Sequence, residues 1–204
     1  AIAYDFLMND PSVFTSDKAQ LIADKLLRPI AMEIGKGNVF DAMTNWSAYD
    51  CTAVYMIGRL LDDQKFMNWG KYGWAGTPGG KPGAGLISKI RDGIDAQGLW
   101  AEPSPGYVKM ATAALVTGCE TAWNAGENWY ALGGGNIQRM LESSSLLATP
   151  GNFIPALGDS GTLPIEEDYY TPHIEQVAYR SRNKANLQQM LAVQFPKLIG
   201  IGPG

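Results

Sequence analysis

Residues 107–126 read YVKMATAALVTGCETAWNAG, and this stretch decides the fold class. Its apolar residues fall on nearly every side of a 3.6-residue period, and a helix without a polar face is buried on several sides. The residues leading into it, GLWAEPSPGYVKM (98–110), carry two prolines. Pro103 and Pro105 hold the chain extended and then admit the helix at its first turn, where a missing N–H costs little. Upstream, TNWSAYDCTAVYMIGRLLDD (44–63) has the same character from Ala48 to Leu61. Two buried helices are therefore expected.

Amphipathic segments lie between and around them. In FTSDKAQLIADKLLRPIAMEIGKG, Thr15 or Ser16 caps, Asp17 suits the first turn, and Leu21, Ile22, Leu26, Ile30 and Ile34 form an apolar face. Pro29 is expected to kink this helix and Gly35 or Gly37 to end it. QKFMNWGKYGW is a shorter amphipathic helix, followed by the glycine–proline loop AGTPGGKPGAG. LISKIRDGIDAQG places Leu86, Ile87, Ile90 and Ile94 on one face, and weaker helices are expected near 134–147 and 173–193. The loop between those two, LATPGNFIPALGDSGTLPIEEDYYTP, is longer than a plain connector needs, which favours a functional role. Strand alternation is scarce, so the chain is expected to be all-α. The alternation of buried and amphipathic helices suits an inner ring of helices wrapped by an outer ring; a solenoid of helical hairpins gives the same rhythm. No clean internal repeat is present.

The 204 residues allow one good-sized domain or two small ones, and 46% hydrophobic with 18% charged residues describes a globular chain. A net charge of -4 leaves no basic footprint for nucleic acid. No apolar run reaches the roughly 20 residues that span a bilayer, so neither nucleic acid nor membrane is an expected partner. Cys51 and Cys119 both fall in apolar helical contexts, where free cysteine behaves as a small hydrophobe. The first residues, AIAYDFLMND, show no initiator Met or signal-peptide core, and the expectation is a piece of a longer chain whose remaining segments would be its partners.

No zinc spacing, P-loop, dinucleotide fingerprint or nucleophile elbow occurs, so no metal site and no cofactor is expected. ALGGGN (131–136) lacks the preceding strand and the lysine of a phosphate cradle, and GDSG (158–161) matches a serine-protease signature by letters only. A triad needs a histidine base, and the sole histidine, His173, lies in a proline-led context without the expected surroundings.

In their order, NWSAYDCTAVYMIGRLLDD, DGIDAQGLWAEPSPGYVKMATAAL, IPALGDSGTLP and HIEQVAYRSRN resemble the heparinase II/III-like and alginate-lyase-like polysaccharide lyases, from about Ala1 to Arg182. The resemblance implies an incomplete α/α toroid as a single domain over 1–204, with the family's β-sandwich absent. It also implies β-elimination on an acidic, uronic-acid-containing polysaccharide or oligosaccharide, in the periplasm or outside the cell.

That reaction removes a proton α to a carboxylate. It needs donors for the carboxylate charge, a base at the ring carbon and an acid for the leaving oxygen. By resemblance, Tyr107 is the acid and a candidate base, and Asn45 neutralises the uronate carboxylate. Trp46, Tyr49 and Trp100 are sugar-stacking platforms, Glu102 is an orienting partner, and Arg180 contacts the acidic polymer. Asp159 is expected to fix its own loop. A phenol is a good acid and a poor base, so Tyr107 as base needs a neighbouring cation or donors that favour the phenolate. Relatives often carry histidine just after the asparagine, along that helix, or after the tyrosine; here those places hold Trp46, Asp50 and Val108. The base is then His173, Tyr107 itself or a residue from another segment, or the chain is a non-catalytic carbohydrate-binding or structural module. A toroid glycoside hydrolase would instead pair Glu102 with Asp50 or Asp159.

Each residue also has a structural counterpart role. Tyr107 and His173 can be helix-start residues, Asn45 a cap, Trp46 and Trp100 packing anchors, Glu102 a partner of the helix dipole, and Arg180 and Arg182 solvated or paired.

Overall fold

The computed structural model describes residues 2–12, 14–37, 39–74, 84–147, 149, 153–164 and 171–181. The fold is all-α. Among the described residues the extended pairing is confined to a two-residue antiparallel ribbon and one isolated bridge between Ile94 and Trp100. The ribbon joins β1 (Phe153–Ile154) to β2 (Leu163–Pro164), with Ile154 opposite Leu163. The chain divides into two compact units, Ala1–Ser88 and Lys89–Gly204.

The first unit opens with α1 (Ile2–Met8), held to the next helix by Tyr4, whose hydroxyl donates to the Ala19 carbonyl at 3.2 Å. α2 (Ser16–Ile22) begins after Thr15, as expected, and runs through a π-turn over Ala23–Leu27 into α3 (Arg28–Gly35). Pro29 has no N–H for the carbonyl one turn back, and the widened turn sits over that gap.

The apolar face differs from the expected one. Ala23, Leu27, Ala31 and Gly35 are buried, while Leu21, Leu26 and Ile30 are 59%, 51% and 40% exposed. The extra residue in the π-turn rotates the helix, and small residues win the inner face because a ring lies against it. A Cβ at Gly35 would stand 2.4 Å from the Trp74 ring. Trp74 in turn stacks on Trp69, with centroids 3.9 Å apart.

The first buried helix is α4 (Asn45–Leu60). Thr44, extended at φ -126 and ψ 161, caps it by accepting the Ser47 N–H at 3.2 Å, which leaves Asn45 as the first helical residue. Ala48, Cys51, Val54 and Tyr55 are fully enclosed. α5 (Gln64–Tyr72), capped by Asp63, packs so closely on α4 that a Cβ at Gly70 would lie 2.5 Å from the Tyr55 Cβ. The glycine–proline loop lies, for 75–83, outside the described residues.

α6 (Leu86–Asp92) carries the division between the units, with Leu86, Ile90 and the following Ile94 buried. In the second unit the Ile94–Trp100 bridge closes a turn in which the Asp95 carboxylate accepts the N–H groups of Gln97 and Leu99. The second buried helix, α7 (Pro105–Asn124), is enclosed on most sides. Its hydroxyls at Thr112, Thr117 and Thr121 bond back to carbonyls four residues earlier, which satisfies them inside an apolar helix.

A 3-10 segment over Trp129–Gly134 leads to α8 (Asn136–Leu146), whose first residue donates its amide to the carbonyls of Ile90 and Arg91. α9 (Thr171–Arg180) starts two residues before the expected position; the stretch expected to continue it, 182–193, lies outside the described residues. Both cysteines are buried thiols, Cys51 donating to the Phe40 carbonyl at 3.4 Å. No helix among the described residues is long and apolar enough to cross a membrane.

Candidate active site

The start of α7 is built as the prolines require. Ser104 is extended, at φ -135 and ψ 123, because the residue before a proline is excluded from the helical region, and Pro105 takes the first turn. Ser104 makes no side-chain cap to its own helix. Its hydroxyl is hydrogen-bonded to that of Ser160, and Ser160 Oγ accepts the Gly106 N–H at 3.0 Å. A residue 54 positions away thus satisfies a donor that a local cap ordinarily takes. Gly158 makes the loop's approach feasible. Its φ of +63 suits glycine, and a Cβ there would lie 2.7 Å from the Pro103 carbonyl oxygen.

This clasp delivers Asp159 to Tyr107. The phenol donates to Asp159 Oδ2 at 2.6 Å. The hydrogen bond and charge of Asp159, then desolvation and the charge of Glu102, push the phenol above its ordinary pKa. The donated bonds of Tyr107 and Ser104 hold the Asp159 carboxyl below its own. At neutral pH the pair is therefore a protonated phenol on an ionised carboxylate. Two sequence expectations change here. Asp159 does not serve only its own loop, and Tyr107 has carboxylates beside it where an unaided phenolate base needs a cation. Glu102 is itself held by the indole N–H of Trp100, which donates to Oε2 at 3.0 Å. GDSG is no hydrolase signature, since Ser160 is engaged by the helix start.

The other expected residues are placed as follows. Asn45 is 1% exposed, and its Oδ1 accepts the Trp46 N–H at 2.8 Å. Trp46 and Tyr49, one helical turn apart, are 69% and 42% exposed, so both are accessible from solvent. Burial lifts the Tyr49 phenol. Trp100 is 4% exposed; its ring is covered, and its contribution is to hold Glu102.

His173 is half-buried near the start of α9, bonded through Nδ1 to Gln176 at 3.3 Å, and burial lowers its pKa. Arg180 meets Glu120 as a fork, Nε to Oε1 at 3.0 Å and Nη2 to Oε2 at 2.9 Å, and lies over the Trp123 ring. Two of its five N–H donors are thus committed to Glu120. Arg182 lies outside the described residues. Asn45, Trp46, Tyr49 and Asp50 belong to the first unit; Trp100, Glu102, Tyr107, Asp159, His173 and Arg180 belong to the second. Among the described residues no three His, Cys, Asp or Glu side chains gather as a metal site.

Sequence reasoning missed Ser104, Ser160 and Glu120, and it misread Asp159. The signal for the loop was Gly158 just before Asp159, which marks backbone needing special room.

The Alginate lyase family model matches residues 22–145, more than half of the chain. The chain belongs to the alginate lyase family. Of the two related groups that the motifs resemble, the match falls on the alginate lyases, and membership places the chain among polysaccharide lyases. The matched residues include Asn45, Trp46, Tyr49, Trp100, Glu102 and Tyr107 and end before Asp159, His173 and Arg180. A search of curated proteins finds no match.

Proposed function

We propose that this alginate lyase family member cleaves a uronate-containing polysaccharide by β-elimination, with Tyr107 protonating the departing glycosidic oxygen. The observation that carries the reading is the Tyr107 hydroxyl. It stands on the proline-stiffened first turn of a buried helix, and the bond it donates to Asp159 fixes it and keeps it in the protonated form. Proton transfer gains most from a group whose position is settled before substrate arrives.

In this reading Asn45 offsets the uronate carboxylate and the exposed rings of Trp46 and Tyr49 support the sugar. The protein works in the periplasm or outside the cell, where such polymers are met; fractionating the producing cells checks that compartment. Asn45→Ala should weaken turnover, which checks the part given to this amide.

Incubation with alginate, heparan, hyaluronan and pectate tests the reaction. At least one polymer should yield near-ultraviolet absorbance from unsaturated uronate. No absorbance with any of them overturns the reading, and binding without product leaves a carbohydrate-binding module. One observation favours a second reading, a glycoside hydrolase: the charges of Asp159 and Glu102 both act on Tyr107, so two carboxylates share this neighbourhood. That reading predicts new reducing ends without the absorbance.

A further inference from the structure

Building on the lyase reading, we propose that Asp159 is the proton acceptor of the elimination, a positioning residue that acts through Tyr107 as a two-member relay. The chain holds Trp46, Asp50 and Val108 where relatives often carry histidine, and its sole histidine is bonded to Gln176 on its own helix. A phenol whose proton is already engaged at 2.6 Å by a carboxylate presents a lone pair, not a proton, to whatever else approaches. Among the described residues no ion pair joins Asp159, so none of their cations competes for its charge. The carboxylate is also held on purpose-built support. Its neighbour Ser160 engages both Ser104 and the Gly106 N–H, and Gly158 lets the loop approach the Pro103 carbonyl.

The step balances without any outside reagent. Asp159 takes the phenol proton while the phenol oxygen takes the proton α to the substrate carboxylate. The electron pair of that C–H bond becomes the new carbon–carbon double bond, and the bond to the glycosidic oxygen breaks. Tyr107 then gives a proton to the departing oxygen and recovers its own from Asp159. One proton has moved from carbon to oxygen, and both residues are restored. The carboxylate supplies the basicity that a phenol flanked by Asp159 and Glu102 lacks alone. The raised phenol and the lowered carboxyl make the transfer from Tyr107 to Asp159 uphill at rest, so the relay moves its proton only in concert with the breaking C–H bond.

Asp159→Asn is the test, because an amide oxygen still accepts the phenol's hydrogen bond but takes no proton. On the polymer that yields unsaturated uronate, kcat should fall by about 10²- to 10⁴-fold with KM little changed. The groups facing Asp159 are Tyr107 and Ser104, with Glu102 acting on the same phenol. The wild-type kcat/KM profile should accordingly lose activity only as pH falls below the ordinary carboxylate value, because the Asp159 carboxyl is held down, and show no inflection near the histidine value of about 6.5.

A second measurement needs no turnover. Ultraviolet difference titration, with Tyr107→Phe as the reference, should show the Tyr107 phenol ionising at lower pH in Asp159→Asn than in wild type. Equal ionisation in the two proteins would mean that the pair does not form, and the relay would fall. Wild-type turnover in Asp159→Asn while Tyr107→Phe is inactive would remove the relay and leave the lyase reading standing. An inflection near 6.5 abolished by His173→Ala would give the base to His173 and overturn the proposal. If no polymer is cleaved, the lyase reading fails and the relay fails with it, whatever the titration reports about the pair.

Discussion

Each end of α7 holds a tyrosine hydroxyl donated to a carboxylate, at nearly the same length. At the start Tyr107 donates to Asp159 at 2.6 Å; near the end Tyr130, from the following 3-10 segment, donates to Glu120 at 2.7 Å. The surroundings differ. Glu120 is gripped by the Arg180 guanidinium, and both side chains are about one-fifth exposed, at 20% and 19%. Its charge is offset, its carboxyl is held below the ordinary value by that bond, and burial drives the Tyr130 phenol far up. Nothing at that end has a proton to spare. Asp159 is exposed, and its charge is met by hydroxyls. The same pair of functional groups is a brace where a cation completes it and a candidate for proton transfer where, among the described residues, none does.

The sharpest way to break this contrast is to remove each hydroxyl in turn. Tyr107→Phe should lower turnover on the cleaved polymer by about 10²- to 10⁴-fold, with the thermal midpoint and polymer binding retained. Tyr130→Phe should do the reverse, keeping turnover and costing about 1 kcal/mol in urea denaturation. Equal losses of activity in both variants would erase the distinction.

The fold was largely legible and the site only half so, for physical reasons. Helices buried on several sides announce themselves by apolar residues all round, and α4 and α7 lie where that pattern put them. The prolines before Tyr107 specified the helix start because their constraint is local. The face of α2 and α3 was misjudged because size, not hydrophobicity, decided it. Gly35 admits the neighbouring Trp74 ring, and no periodicity of Leu and Ile reveals a π-turn. Asp159 and Ser160 were misjudged because their partners are 52 and 54 residues away, and a contact of that separation leaves no spacing to read. Trp100 and Arg180 show the opposite limit. Their residue types suit a sugar surface, yet only coordinates reveal that Glu102 takes the Trp100 indole N–H and that Glu120 takes two of the Arg180 donors.

The brace at the end of α7 predicts a smaller effect than the loss of Tyr107. Arg180→Met should destabilise the protein by about 1–2 kcal/mol, less than a fully buried pair would cost, because solvent still screens this one. The pH dependence follows from the Glu120 carboxyl. Its folded pKa lies below the unfolded one, so its contribution is complete above about pH 4.3 and is lost as pH falls through the folded value. Glu120→Gln should lower stability at neutral pH and flatten that part of the acid decline in denaturation curves measured stepwise from pH 7 downward. A parallel decline in wild type and variant would mean that other carboxylates carry it.

The smallest effect expected is the most discriminating for the clasp. Ser160→Ala removes the acceptor of the Gly106 N–H and the partner of Ser104 without touching Tyr107 or Asp159. Losing a helix cap usually costs about 0.5–2 kcal/mol; the low end is expected, because an N–H half open to solvent can turn to water. If the cap were all that Ser160 supplied, turnover at a temperature well below unfolding would not change. If the loop also holds Asp159 against the phenol, kcat should fall, by less than in Asp159→Asn, and the Tyr107 titration should move toward that of the amide variant. Stability and titration shifting together would tie the capping of α7 to the setting of its tyrosine, which the end of the helix at Tyr130 achieves with an arginine instead.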